Sequence, residues 1–355
     1  MDGQPLATRI GPREVASREA RTPEARDRYT ARVLIALGLT AALIALWRAA
    51  DVVMIAFGGV LLAVALRALA RILERYTPLP ERAALPSAIF ALVASIGLVA
   101  WLVGDTLAGE LGQLATRLPA ALDKVRDWLA MHAAGRAMLD SLGAVNGAES
   151  VSRLAGAAIS TLGAVANALV LLVLGIYFAV DPGLYRRGFL RLVPSAHRAR
   201  VAETLGAAAD ALRDWLGGAV AAMLAVGSVT GLGLWALGVP FALSLAVIAA
   251  LLEFVPFLGP LVAAIPAVLV GFSESPVTAF YVALLYLAIQ QIEGYLLTPL
   301  VQRWAVSLPP ALAVLAVLVF GVLIGLPGVL FAVPLLVVVM VVVRKLYIEP
   351  AEAAR

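Results

Sequence analysis

Residues 241–272 read FALSLAVIAALLEFVPFLGPLVAAIPAVLVGF, an apolar run with a single charged side chain. About twenty apolar residues suffice to cross ~30 Å of hydrocarbon, and runs of that length recur along the chain. The composition follows from them, at 62% hydrophobic and 14% charged, where a soluble domain is about half apolar and a quarter charged. The fold class is therefore all-α and polytopic, since in lipid each backbone N–H and C=O must be satisfied within its own segment. A transmembrane barrel would show short alternating segments instead.

Eight spans are expected, at 31–47, 52–73, 83–104, 154–180, 215–237, 241–272, 277–297 and 311–343. They divide the chain into a disordered basic tail (1–30), three helices (31–104), an amphipathic extracytoplasmic segment (105–153), a fourth span (154–180), a basic amphipathic segment (181–214), a duplicated core (215–343) and a second tail (344–355). Arginines at 9, 13, 18, 21, 26 and 28 make the first tail too long for the charged region of a signal peptide. Basic residues gather in that tail and in 67–82, 181–213 and 344–345, which places both ends in the cytoplasm by the positive-inside rule. The pI near 9.6 thus reports topology and not nucleic-acid binding.

Two of these runs are too long. At about 1.5 Å per residue, 241–272 and 311–343 would each reach roughly 50 Å as straight helices, and each has a Pro/Gly interruption. They are expected to be discontinuous helices or re-entrant hairpins. Two further segments have helical apolar spacing outside the spans: Leu107, Leu111, Leu114, Leu118, Leu122, Val125 and Leu129, and then Val201, Leu205, Ala208, Leu212 and Trp215. Such helices suit a place at the membrane surface or packing on a partner, and ordinary structural packing is the simpler reading.

An internal likeness runs through the C-terminal half. WALGVPFAL (235–243) matches WAVSLPPAL (304–312) at an offset of 69, and GPLVAAIP (259–266) matches PGVLFAVP (327–334) at an offset of 68. Interrupted segments at matching places in two halves point to a transport site.

Chemistry can reside in few residues. An intramembrane acid such as Glu253 is costly and is a functional candidate, as a proton- or cation-exchanging group, with a structural pairing to a hydroxyl or arginine as the alternative. Glu293, after Gln290 and Gln291, could line a polar path, although it lies near the end of its span where headgroups can solvate it. Pro256, Gly259, Pro260 and Pro266, with Pro327 and Gly328, can free backbone carbonyls for a cation or solute, or can simply kink a well-packed helix. The G-x-x-x-G pairs Gly227–Gly231 and Gly321–Gly325 read as close helix packing. Arg303 with Trp304 reads as an interfacial anchor, and Asn167 as a lone amide bonded to a neighbouring helix. There is no cysteine, only His132 and His197, and no H-E-x-x-H, Walker or G-x-S-x-G element. An enzyme, a resident metal and a cofactor are not expected.

The runs LLEFVPFLGPLVAAIPAVLV (251–270) and QQIEGYLLTPLVQRWAVSLPPALAVLAVLVFGVLIGLPGVLFAVPL (290–335), with LYRRGFLRLVP (184–194), resemble the AI-2E family of bacterial membrane proteins, also called PerM-like. The resemblance covers roughly residues 30–345. It implies an oligomeric secondary transporter of the inner membrane, associated in some members with export of the quorum-sensing signal autoinducer-2 and in others with sodium–proton exchange. By motif, Glu253, Pro256, Gly259 and Pro260 fall on the family's proline–glycine signature, and Gln291, Glu293 and Pro299 on its second block. The expected function is export of a small polar, autoinducer-2-like solute. Glu253 would be the ionisable gate and H⁺ or Na⁺ a possible partner. A cation–proton antiporter and a non-transporting scaffold are the alternatives.

Overall fold

A computed structural model of the chain describes residues 50–78, 80–131, 161–297 and 309–353. The chain divides between Val53 and Met54 into two units, and the second holds nearly all of the described residues. Every regular element among the described residues is helical. Five helices are long and apolar enough to cross a membrane, or six if one bent pair counts as a span, and three shorter apolar helices accompany them. The protein is an all-α, multi-pass membrane protein. The expected tail 1–30, the span 31–47, residues 132–160, Pro299, Arg303 and Trp304 lie outside the described residues.

Helix α1 is Ala50–Tyr76 and α2 is Glu81–Ala130. The 50 residues of α2 run about 75 Å and carry the expected span 83–104 and the amphipathic segment beyond it as one unbroken helix. Hydropathy changes near Gly104 but helical geometry does not, because no proline stands between Pro86 and Pro119. The same fusion occurs in α5, Arg198–Ala236, which joins the basic segment to the span expected at 215–237. Between them lie α3, Thr161–Val180, and the short α4, Pro182–Arg191.

The two overlong runs both reverse direction. The first becomes α6, Ala242–Leu252, and α7, Leu258–Glu274; the second becomes α9, Pro310–Ile324, and α10, Leu326–Val343. Pro256 has no N–H to bond the Leu252 carbonyl, so Val255 N closes a tight turn on it at 2.9 Å. Phe257 then takes a left-handed φ of 68°, an arrangement of about 1–3 kcal/mol strain in a non-glycine residue. In the second turn Gly325 supplies the positive φ of 76° without a Cβ to strain. Gly259 stands against the carbonyl of Leu252 and Gly328 against that of Phe320, so close that a Cβ would overlap either oxygen. Residues seven or eight apart in a continuous helix would be separated by about 10 Å along the axis, so both runs are helical hairpins. Pro266 and Pro334 sit inside the returning helices. The likeness of 259–266 to 327–334 thus falls on corresponding parts of the two hairpins, the cradle glycines being offset by 69.

Helix α8, Pro276–Ile292, starts under a Ser275 cap that accepts from Thr278 N at 2.9 Å, with Pro276 in the first turn. Helices α5 and α6 pack closely and antiparallel. A Cβ on Gly227 would come 2.7 Å from Ala250 Cβ, and one on Gly231 3.0 Å from Ala246 Cβ. The first G-x-x-x-G is therefore a packing groove.

Candidate functional site

Glu253 is the C-cap of α6, at the tip of the first hairpin, and its N–H bonds back to Ala249 O at 3.0 Å. Glu293 is the C-cap of α8, where the chain opens into a π-helical turn, Glu293–Leu297. Such turns are frequent at functional positions. Both acids are buried, at 5% and 8% exposure. Their carboxyl groups lie close enough to interact directly. Gln290 Nε2 donates to Glu293 Oε2 at 3.0 Å, while Glu253 Oε2 has no donor.

Two features make this spot electronegative. Two carboxyl groups meet there, and Glu253 also ends α6, where the backbone dipole presents its negative pole. Two ionised carboxylates that close repel, so the arrangement is chemically suited to take up a proton or a cation. The arrangement is hostile to an anion. Along α8, Tyr286, Gln290 and Glu293 stand at i, i+4 and i+7 and share one face. The hydroxyl of Tyr286 and that of Thr230 on α5 are buried without a hydrogen-bond partner.

The other expected site residues divide. Pro256 lies in the turn, half-buried, while Gly259 and Pro260 are buried in the first turn of α7. Gln290 joins the pair; Gln291 is exposed on another face. Pro266 is half-buried within α7. Pro327 and Gly328 belong to the second hairpin, with Pro327 exposed and Gly328 buried.

Two supports went unseen in the sequence. The first residue of the α6 hairpin, Phe241, is left-handed and offers no side-chain cap. The cap comes from α2 instead: Glu110 Oε2 accepts from Ser244 N at 3.1 Å and from Ser244 Oγ at 2.7 Å. Further along α2, the Arg117 guanidinium lies 5.2 Å over the Phe241 ring, Lys124 Nζ donates to Ser273 O at 3.1 Å, and Trp128 meets Phe272 edge-on at 5.8 Å. The amphipathic half of α2 therefore spans the open end of the first hairpin. At the hairpin's tip, Trp215 of α5, 6% exposed, packs edge-on against Phe254 with ring centroids 5.4 Å apart. The apolar spacing of both helices was visible, but not that it served the segment carrying Glu253.

A multi-pass helical protein with hairpins that end inside its apolar body, and a buried acid pair at one tip, has the architecture of a membrane transporter. The family described as AI-2E family transporter matches residues 34–348, and the chain belongs to it. It is 30% identical over 253 residues to the provisionally named transport protein MT0215 of Mycobacterium tuberculosis, covering 67% of each chain. It is 29% identical over 158 residues to the similarly named YrrI of Bacillus subtilis, covering 44% of this chain and 45% of that one. It is 28% identical over 198 residues to the permease PerM of Escherichia coli, also a provisional name, covering 55% and 56%. The chain spans less than half the length of YrrI.

Proposed function

We propose that this protein is a secondary transporter of the bacterial inner membrane, with both termini cytoplasmic, that exports a small polar solute of the autoinducer-2 type. Glu253 and Glu293 form the coupling site, exchanging H⁺ or Na⁺ as the hairpin tip is exposed to one side or the other. The observation that carries this proposal is the buried pair of facing carboxyl groups with one oxygen lacking any donor. A buried charge of that kind is retained at an energetic cost, and it can respond to an ion gradient only if the ion reaches it. Gln290 holds Glu293 in place. The helix break contributes backbone carbonyls, and Pro256, Gly259 and Pro260 shape it.

Cation–proton antiport is the second proposal, favoured by the α6 C-terminus that ends at Glu253 beside a second acid. Half-helix C-terminal ends coordinate Na⁺ or H⁺ in transporters. Purified protein in proteoliposomes with a pH gradient separates the two. Autoinducer-2 and Na⁺ are offered in turn while lumenal pH is followed. Signal flux that the gradient accelerates is the expected result. Na⁺-dependent proton flux without signal movement would make the protein an antiporter. No flux of either kind from folded protein would sink both.

A further inference from the structure

The short helix α4 has no part in the acid site, yet its placement is tightly specified. Helix α3 supplies 20 residues, Thr161–Val180, without a charge, enough for about 30 Å of bilayer. Arg67 of α1 closes its end, with Nε donating to Ala179 O at 2.8 Å and Nη2 to Val180 O at 3.3 Å. The next residue, Asp181, caps α4 by accepting from Leu184 N at 2.9 Å, and Pro182 occupies the first turn. One helix is thus stopped and another started within a single residue, and their axes differ by 85°. A helix at that angle to a span lies along the membrane surface.

Its three faces have separate chemistry. Arg186 turns toward α5, where its Nη2 donates to Ala202 O at 3.0 Å. Tyr185, Phe189 and Leu192, at i, i+4 and i+7, form an exposed apolar stripe, with Tyr185 also packed edge-on against Phe178 of α3 at a ring-centroid distance of 4.7 Å. Arg187 and Arg191 lie on the far side from that stripe. Arg187 has only a loose, exposed pairing with Asp181 at 3.8 Å, and the Arg191 guanidinium has no partner among the described residues. Between Asp181 and Arg200 there are five arginines against one aspartate. Arg198 is held by two backbone carbonyls, those of Val193 and Arg191, at 2.8 and 3.4 Å, so it stays beside the others.

We propose that α4 is an in-plane anchor that binds the phosphate of an anionic phospholipid through Arg187 and Arg191, with Tyr185, Phe189 and Leu192 sunk into the acyl region below. Apolar and cationic faces on one interfacial helix suit this ligand, and a guanidinium matches phosphate geometry with two parallel donors. The lipid is the occupant because the helix starts where a span ends, so its apolar stripe is already at the depth of the headgroups.

The test is native mass spectrometry of the purified full chain, titrated with phosphatidylglycerol or with phosphatidylcholine of the same acyl chains. Wild type should retain phosphatidylglycerol preferentially. Arg191→Gln should cut that preference about five-fold and Arg187→Gln with Arg191→Gln about thirty-fold, the effect of one and two basic residues near an anionic surface. Arg126→Gln, an equal charge loss on α2, should leave it unchanged. Circular dichroism matching wild type shows that each variant is folded. The proposal is overturned if wild type shows no preference, or if Arg126→Gln weakens it as much as Arg191→Gln does. It is also overturned if glycerol phosphate without acyl chains displaces the lipid at equal concentration, since that would mean a site for soluble phosphate esters.

Discussion

Gly259→Ala isolates the first hairpin turn from everything else in the protein. The new methyl would overlap the Leu252 carbonyl oxygen and crowd the Leu252 carbonyl carbon at 2.5 Å and Glu253 N at 3.0 Å. All three are backbone atoms, so no side-chain rotation relieves the contact, and the turn carrying Glu253 has to shift. Overpacking of this kind destabilises by about 1–3 kcal/mol. Gly206 is the matched control, lying in the interior of α5 with nothing within 4 Å of its would-be Cβ. There alanine is favoured by about 0.8–1 kcal/mol for its helix propensity. The two substitutions, chemically identical, should therefore differ in stability by about 2–4 kcal/mol, with opposite signs. Reversible unfolding in mixed micelles reads the difference, and Gly328→Ala, which meets the Phe320 carbonyl in the same way, should behave like Gly259→Ala. Equal stability of the Gly259→Ala and Gly206→Ala proteins would refute the close approach and with it the hairpin turn.

Three other outcomes are expected. Glu110→Gln and Ser244→Ala should each destabilise by about 1 kcal/mol as a lost helix cap, and a double-mutant cycle should return a coupling of at least ~0.5 kcal/mol. A cycle that is simply additive would leave α2 without a role in holding α6. Gln290→Leu removes the donor to Glu293, a hydrogen bond to a carboxyl group worth about 1.5–3 kcal/mol, so the apparent affinity for the coupling ion should change by about tenfold or more in proteoliposome flux; unchanged affinity counts against Gln290 as a site residue. Trp215→Ala should lower stability by about 3–5 kcal/mol as a buried aromatic truncation, whereas a loss under ~1 kcal/mol would place it outside the range for a packed aromatic and mean that the Phe254 contact does not brace the tip.

The sequence was most legible where local chemistry decides structure. Twenty-residue apolar runs announced the spans, and Pro256 and the Pro327–Gly328 pair announced that two of them could not be straight. The boundary expected after Gly104 has no counterpart as a break, because hydropathy records where lipid ends and not where a helix does. Within the site, Glu253 and Glu293 each stood out as acids in apolar surroundings. That they face each other depends on the α6–α7 reversal and the return of α8, which together bring distant stretches of chain to one point. Gln290 and Gln291 looked alike as letters, and helical phase separates them, since only 290 shares a face with 293. The Glu110–Ser244 cap joins residues 134 apart, and no local pattern encodes it.

Glu253 and Glu293 are proposed to act as one unit in coupling. Gradient-driven flux through proteoliposomes should be compared for wild type, Glu253→Gln, Glu293→Gln and the double variant, all matched for folded protein. If the pair is one site, each single variant abolishes the acceleration by the gradient and the double variant loses no more, the non-additivity expected of residues acting together. Persistence of full gradient-driven flux in either single variant would contradict a shared site.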